Sequence, residues 1–148
     1  MPTPSPAPQV SATAAPGPRA LRAAVIGTGK ISEEHLRYLG SDPGVVLAGV
    51  CDLSPSLAKY AAARFKAGAA FSDSGEMLRE ARPDVVHVLT PPHTHAALVT
   101  DALNAGAHVV VEKPVAPTNA QFRELCPHPG AQRRALGSVC GSVFLQDD

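Results

Sequence analysis

Three short stretches of this 148-residue chain concentrate residue types able to hold an anion or move a proton. The first is Gly27-Thr28-Gly29-Lys30-Ile31-Ser32, which directly follows the apolar run Ala23-Ala24-Val25-Ile26. Gly27 permits a tight turn, and Gly29 has no side chain to keep the backbone away from a diphosphate. Free amides at the start of the helix that follows, helped by its dipole, would point at the anion. Ser32 stands where a small residue lets the helix lie close to the strand, its hydroxyl turned to the backbone. The sequence contains no GxxxxGK[ST], and Lys30 is not at a Walker-type position, which disfavours ATP or GTP hydrolysis.

The second stretch is Asp52, at the end of the run Val45 to Cys51 and 25 residues beyond Gly27. A carboxylate there can accept hydrogen bonds from the diol of an adenosine ribose and repels a 2′-phosphate. Leu53-Ser54-Pro55 supplies no adjacent arginine for such a phosphate, so NAD is favoured over NADP. A capping role for Asp52 is the plainer alternative, but Ser54 fills that position better. The third stretch is split: Thr90-Pro91-Pro92-His93-Thr94-His95 follows Val85 to Leu89, and Glu112-Lys113-Pro114 follows His108 to Val111. His93 and His95, near a helix start with no third ligand nearby, read as surface or capping residues and not as a metal site. His87 and His108 fall inside strands and read as structural. On residue type alone Lys113 reads as a solvated lysine.

The elements that must position these residues alternate. Ala23 to Ile26, Val45 to Cys51, Val85 to Leu89 and His108 to Val111 are short runs with few polar interruptions, as in parallel strands covered on both faces. Ala70-Phe71 adds a short third strand. Between the runs lie helical spacings: Ile31, Leu36 and Leu39; Leu57, Ala61 and Phe65; Leu98 with Ala102 and Val99 with Leu103. Ser54-Pro55 marks one helix start, Asp73 to Glu76 has capping-box spacing for another, and Gly106 suits a left-handed C-terminal residue. Strand–helix alternation demands right-handed crossovers, so the predicted fold class is α/β, a Rossmann-like doubly wound parallel sheet in a single domain over residues 21–125. The first and fourth strands would flank the crevice at its carboxyl edge, setting the glycine loop against the Thr-Pro-Pro turn.

Composition frames this domain. Residues 1–20 carry six of the fifteen prolines and read as a disordered Pro/Ala-rich leader. Residues 126–148 read as an irregular tail after Pro127 and Pro129-Gly130, with one extra strand expected in Val139 to Leu145. Zero net charge and six aromatic residues give no support to nucleic-acid binding. No apolar run approaches the roughly 20 residues of a membrane span, and the N-terminus lacks the features of a secretory signal. Cys51, Cys126 and Cys140 share no metal-like spacing, which suits a reducing cytoplasm.

Taken together, Val25 to Ser32 with His35, Asp52, Thr90 to His95, and Ala105 to Pro114 resemble the N-terminal half of the glucose–fructose oxidoreductase/inositol dehydrogenase/MocA (Gfo/Idh/MocA) family. The resemblance covers residues 21–125. It implies NAD(P)-dependent oxidoreduction of a sugar or cyclitol by hydride transfer. It assigns Lys113 the catalytic role beside substrate and nicotinamide, where an ammonium can donate to the reacting oxygen. It places Glu112 near the nicotinamide ribose and has Pro114 aim Lys113, with a cis Lys113–Pro114 bond to look for. Thr90, Pro91 and Pro92 would wall the cofactor, and His95 would help close the loop. Gly27, Thr28, Gly29, Lys30, Ile31 and Asp52 complete the implied cofactor site. Family members continue into a second α/β domain that supplies the substrate pocket. A truncated or frame-shifted product is therefore one expectation, and a non-catalytic dinucleotide-binding or regulatory module is the alternative to an enzyme. The sheet face normally covered by that second domain would leave an apolar patch, which predicts self-association, as a homo-oligomer such as a dimer or as aggregation.

Overall fold

A computed structural model describes residues 18–125 and 136–138 of the chain. Six strands, β1 (Leu21–Ile26), β2 (Val45–Cys51), β3 (Ala70–Phe71), β4 (Val85–Val88), β5 (His108–Val111) and β6 (Leu136–Ser138), form one sheet in the order β3-β2-β1-β4-β5-β6. Every neighbouring pair is parallel. Five helices connect them: α1 (Ser32–Ser41), α2 (Pro55–Phe65), α3 (Ser74–Ala81), α4 (His95–Asn104) and α5 (Asn119–Leu125). Strand order reverses between β1 and β4, which opens the crevice where the sequence placed it.

The sheet is apolar on both faces because β1 alternates between two cores. Ala23 and Val25 pack with Leu36, Leu39, Leu47, Val50 and Ala61, under α1 and α2. Ala24 and Ile26 pack on the other face with Met77, Val86, Val99, Leu103 and Val109, under α3 and α4. Each fully buried Val or Leu contributes about 1.5–3 kcal/mol through lost apolar surface. β1 begins two residues earlier than its apolar run suggests, because the Arg22 amide donates to Asp84 Oδ2 at 2.8 Å and the Leu21 amide to Gly44 O at 2.8 Å. Arg19, within the proline-rich leader by composition, pairs with Asp84 at 2.7 Å.

Helix boundaries follow their signals. Ser54 caps α2 by accepting from the Leu57 amide, Asp73 caps α3 by accepting from the Glu76 amide at 2.7 Å, and Gly106 has φ +87° just past α4. Two expectations change. Ile31 lies before α1 and is 43% exposed, and Leu57 on α2 is 50% exposed. The face of α2 that meets the sheet is made by Ala58 and Ala61, since small side chains let the helix approach closely. β6 pairs with β5 a few residues before the expected position, and Val139 to Leu145 and residues 1–17 lie outside the described residues. No helix among the described residues is long and apolar enough to cross a membrane.

Candidate functional site

At the carboxyl edge of β1, the chain turns through Gly27 with φ +96°. A Cβ on Gly27 would lie 2.8 Å from Leu89 O, so the loop from β1 and the end of β4 meet only because this residue is glycine. Gly29 differs: a Cβ there would meet nothing within 4 Å, because the residue faces open space. The amides of Gly29, Lys30 and Ile31 donate to no acceptor among the described residues. Ser32 is buried and its hydroxyl donates to Gly29 O at 2.5 Å, which ties the loop to the first turn of α1. The loop therefore presents amides and an absent side chain to a cleft of about 820 Å³. That is the shape and polarity a diphosphate needs.

Asp52 forms the next wall. Its Oδ2 accepts from the Thr28 amide at 2.9 Å and the Thr28 hydroxyl at 2.8 Å, while Oδ1 accepts from the Ser54 amide at 2.8 Å. Burial alone would raise the carboxyl pKa, but these three hydrogen bonds outweigh it and hold the group below the usual aspartate range. Asp52 is thus a fixed anion. Cys51, beside it, is buried, and its thiol is pushed up to about 11 by burial and by the nearby Asp73, Asp52 and Glu76 carboxylates. It is no nucleophile at neutral pH.

Across the cleft, Thr90 and Thr94 hydroxyls lie 2.6 Å apart. The Thr94 hydroxyl donates to Pro91 O, so Thr90 supplies the hydrogen between the two. His95 is fully buried, with Nε2 2.7 Å from Thr90 O and Nδ1 2.8 Å from Pro114 O. The surface or capping reading does not hold for it: the ring braces the loop after β4 to the loop after β5. The Lys113–Pro114 peptide is cis. Lys113 is exposed and joins no ion pair among the described residues, and its amide donates to Glu112 Oε2 at 3.1 Å.

Gly27, Thr28, Gly29, Lys30, Ile31, Asp52, Thr90 and Pro91 all line the cleft; Pro92, His95, Glu112 and Lys113 stand outside its lining. The sequence reading missed Leu53, Ser72, Ser74, Ala97 and Leu98, which also line it. Leu53 carried a signal, an apolar side chain immediately after Asp52, and it is 94% exposed in the structure. Ser72 and Ser74 follow the third strand at the same sheet edge, where ligand contacts concentrate. Among the described residues, no group of three or more His, Cys, Asp or Glu side chains is arranged to hold a metal ion.

Comparison with known proteins decides the family. The model of the oxidoreductase family with an NAD-binding Rossmann fold, Gfo/Idh/MocA, matches residues 21–134. The chain belongs to the Gfo/Idh/MocA family. Within that family it is 37% identical over 125 residues to D-glucoside 3-dehydrogenase of Escherichia coli (strain K12), covering 84% of this chain and 34% of that protein. Among solved structures, GenD2 from gentamicin A biosynthesis, in complex with NAD, superposes with a TM-score of 0.75 at 27% identity, covering 87% of this chain and 37% of that one. KijD10, a 3-ketoreductase from Actinomadura kijaniata in complex with TDP-benzene and NADP, gives a TM-score of 0.75 at 26% identity, covering 81% and 38%. The chain spans about a third of the length of the curated relatives it matches. It contains their NAD(P)-binding Rossmann domain.

Proposed function

We propose that this domain binds NAD in preference to NADP and presents it for hydride transfer to or from a carbon of a sugar or cyclitol. The observation that carries the reading is the set of free amides at Gly29, Lys30 and Ile31 opening onto a cleft walled by the Asp52 carboxylate. Gly29 and α1 would hold the diphosphate, and Asp52 the adenosine ribose. The Asp52 anion is incompatible with a 2′-phosphate, and Leu53-Ser54-Pro55 brings no cation to offset it. Thr90, Pro91 and Pro92 wall the coenzyme on the β4 side, braced by His95.

The bound nicotinamide supplies the hydride chemistry. What the chain's own residues supply is orientation and a proton donor. Lys113 is exposed at the end of β5, on the same sheet edge as the glycine loop, and its ammonium can donate to a reacting carbonyl oxygen. Glu112 precedes it and would meet the nicotinamide ribose. The substrate class follows D-glucoside 3-dehydrogenase and the family's inositol dehydrogenases. The free, buried Cys51 thiol suits a reducing cytoplasm.

Titration of the purified protein with NADH, followed by fluorescence, tests the reading. Saturable binding, weaker for NADPH by about tenfold or more, is expected. Equal or tighter NADPH binding would overturn the NAD preference. Binding without oxidation of any sugar or inositol would favour a non-catalytic module over an enzyme.

A further inference from the structure

Behind Glu112, just past the end of β5, two histidines from two different elements meet. His87 of β4 faces His35 of α1, their Nδ1 atoms 2.8 Å apart and their rings edge to face. The other ring nitrogen of His35, Nε2, lies 3.5 Å from Glu112 Oε1. The His35 and Glu112 side chains are only 10% and 14% exposed, and His87 is buried, so water competes poorly for these contacts. The acidic neighbours of His35 on its own helix are engaged elsewhere. Glu33 pairs with Arg37 and Arg64, and Glu34 with Arg37. Among the described residues, Glu112 is the carboxylate that faces the ring.

The donors can be ordered from chemistry alone. A carboxylate only accepts, so the tautomer of His35 that attracts Glu112 across this 3.5 Å contact is the one with its hydrogen on Nε2. Burial, and then the neighbouring His35, pushes His87 down to about 4, which leaves His87 neutral at physiological pH. When His35 is neutral too, its Nδ1 is a bare lone pair, and His87 must donate from its own Nδ1. The chain then runs in one direction, from His87 through His35 to Glu112. The second Glu112 oxygen already accepts from the Lys113 amide at 3.1 Å. One carboxylate oxygen is therefore held by the next residue in the chain, and the other faces the His35 ring from beneath the sheet edge.

We propose that His35 is a positioning residue, fixed in one tautomer by His87, that clamps the Glu112 carboxylate and thereby sets the Glu112–Lys113 turn against the nicotinamide end of the coenzyme. The proposal rests on the NAD reading above. It adds a role for α1 beyond holding the diphosphate: one helix would address both ends of the dinucleotide.

The test compares NADH with ADP, which fills the adenosine and diphosphate positions and lacks everything beyond them. At about pH 8, His35→Leu should weaken NADH roughly tenfold and leave ADP binding unchanged. His35→Gln, which keeps an amide donor, should recover most of the loss. Equal weakening of both ligands, or no weakening of NADH, would overturn the proposal while leaving NAD binding intact. If the leucine variant does not fold, imidazole ¹⁵N shifts of the wild-type protein decide the matter. Hydrogens on His87 Nδ1 and His35 Nε2 support the clamp, and a His87 ring protonated on Nε2 under those conditions overturns it. Wild-type protein that binds neither NADH nor ADP defeats the NAD reading itself, and this inference with it.

Discussion

Asp52 and Thr28 are joined twice, because one carboxylate oxygen of Asp52 accepts both the amide and the hydroxyl of Thr28 at 2.9 and 2.8 Å. With the Ser54 amide on the other oxygen, about three of the roughly four acceptor positions of the carboxylate are filled. The end of β2 and the glycine loop are thereby one unit, and the anion proposed to select the coenzyme is locked to the loop that would hold its diphosphate. Replacing Asp52 with Ala is expected to weaken NAD by about tenfold or more and to narrow the preference over NADP. Paired titrations of the two coenzymes measure both effects, and an unchanged ratio would remove Asp52 from the selectivity argument.

The two glycines of the loop should separate stability from binding. Gly27→Ala forces a Cβ to within 2.8 Å of Leu89 O at φ +96°, so a loss of about 2–3 kcal/mol in unfolding free energy is expected. Gly29→Ala meets open space and should leave the urea midpoint nearly unchanged. Its methyl group occupies the approach to the free amides, so coenzyme binding should still fall sharply. Denaturation and titration of the two variants together give opposite patterns if the loop works as described.

His87 predicts a pH dependence with a definite sign. Its native pKa, about 4, lies below the model-peptide value of 6.5, so the unfolded chain takes up a proton that the native protein refuses. Stability from this residue is complete above about pH 6.5 and is lost as pH falls toward 4. The loss is on the order of 3 kcal/mol. Unfolding free energies measured across that window should fall toward acid, and the slope should shrink in a His87→Asn variant.

His95 couples two loops through Thr90 O, five residues before it, and Pro114 O, 19 residues after it. His95→Ala would leave a cavity and two carbonyls without their ring partner. A loss of about 3 kcal/mol is expected. Amide exchange should quicken around Thr90 and Lys113 more than around Leu36, on the opposite side of the sheet.

Much of this was legible before the structure. Val45–Cys51, Ala70–Phe71 and His108–Val111 form strands where the sequence reading put them, because β-branched or aromatic residues there are bounded by turn and capping signals. The places of the glycine loop and Asp52 at strand ends were legible because local backbone signals set them. The buried face of α2 was not. Periodicity ranks Leu57 above Ala58, whereas the sheet selects whichever side chain lets the helix come close. The His35–His87 contact joins residues 52 positions apart and exists only because folding brings a side chain of α1 within reach of one from β4. The burial of His95 likewise depends on two carbonyls brought together by neighbouring strands. Such relations are tertiary, and no spacing within a single element encodes them.

The central claim is that the amides of residues 29–31 and the Asp52 carboxylate form a coenzyme site, and calorimetric titration of the folded protein with NADH tests it most directly. The account predicts saturable heat at one site per chain, abolished in Gly29→Ala under conditions where that variant remains folded. Absence of any binding heat with NADH and with NADPH, or full binding retained in Gly29→Ala, would contradict it.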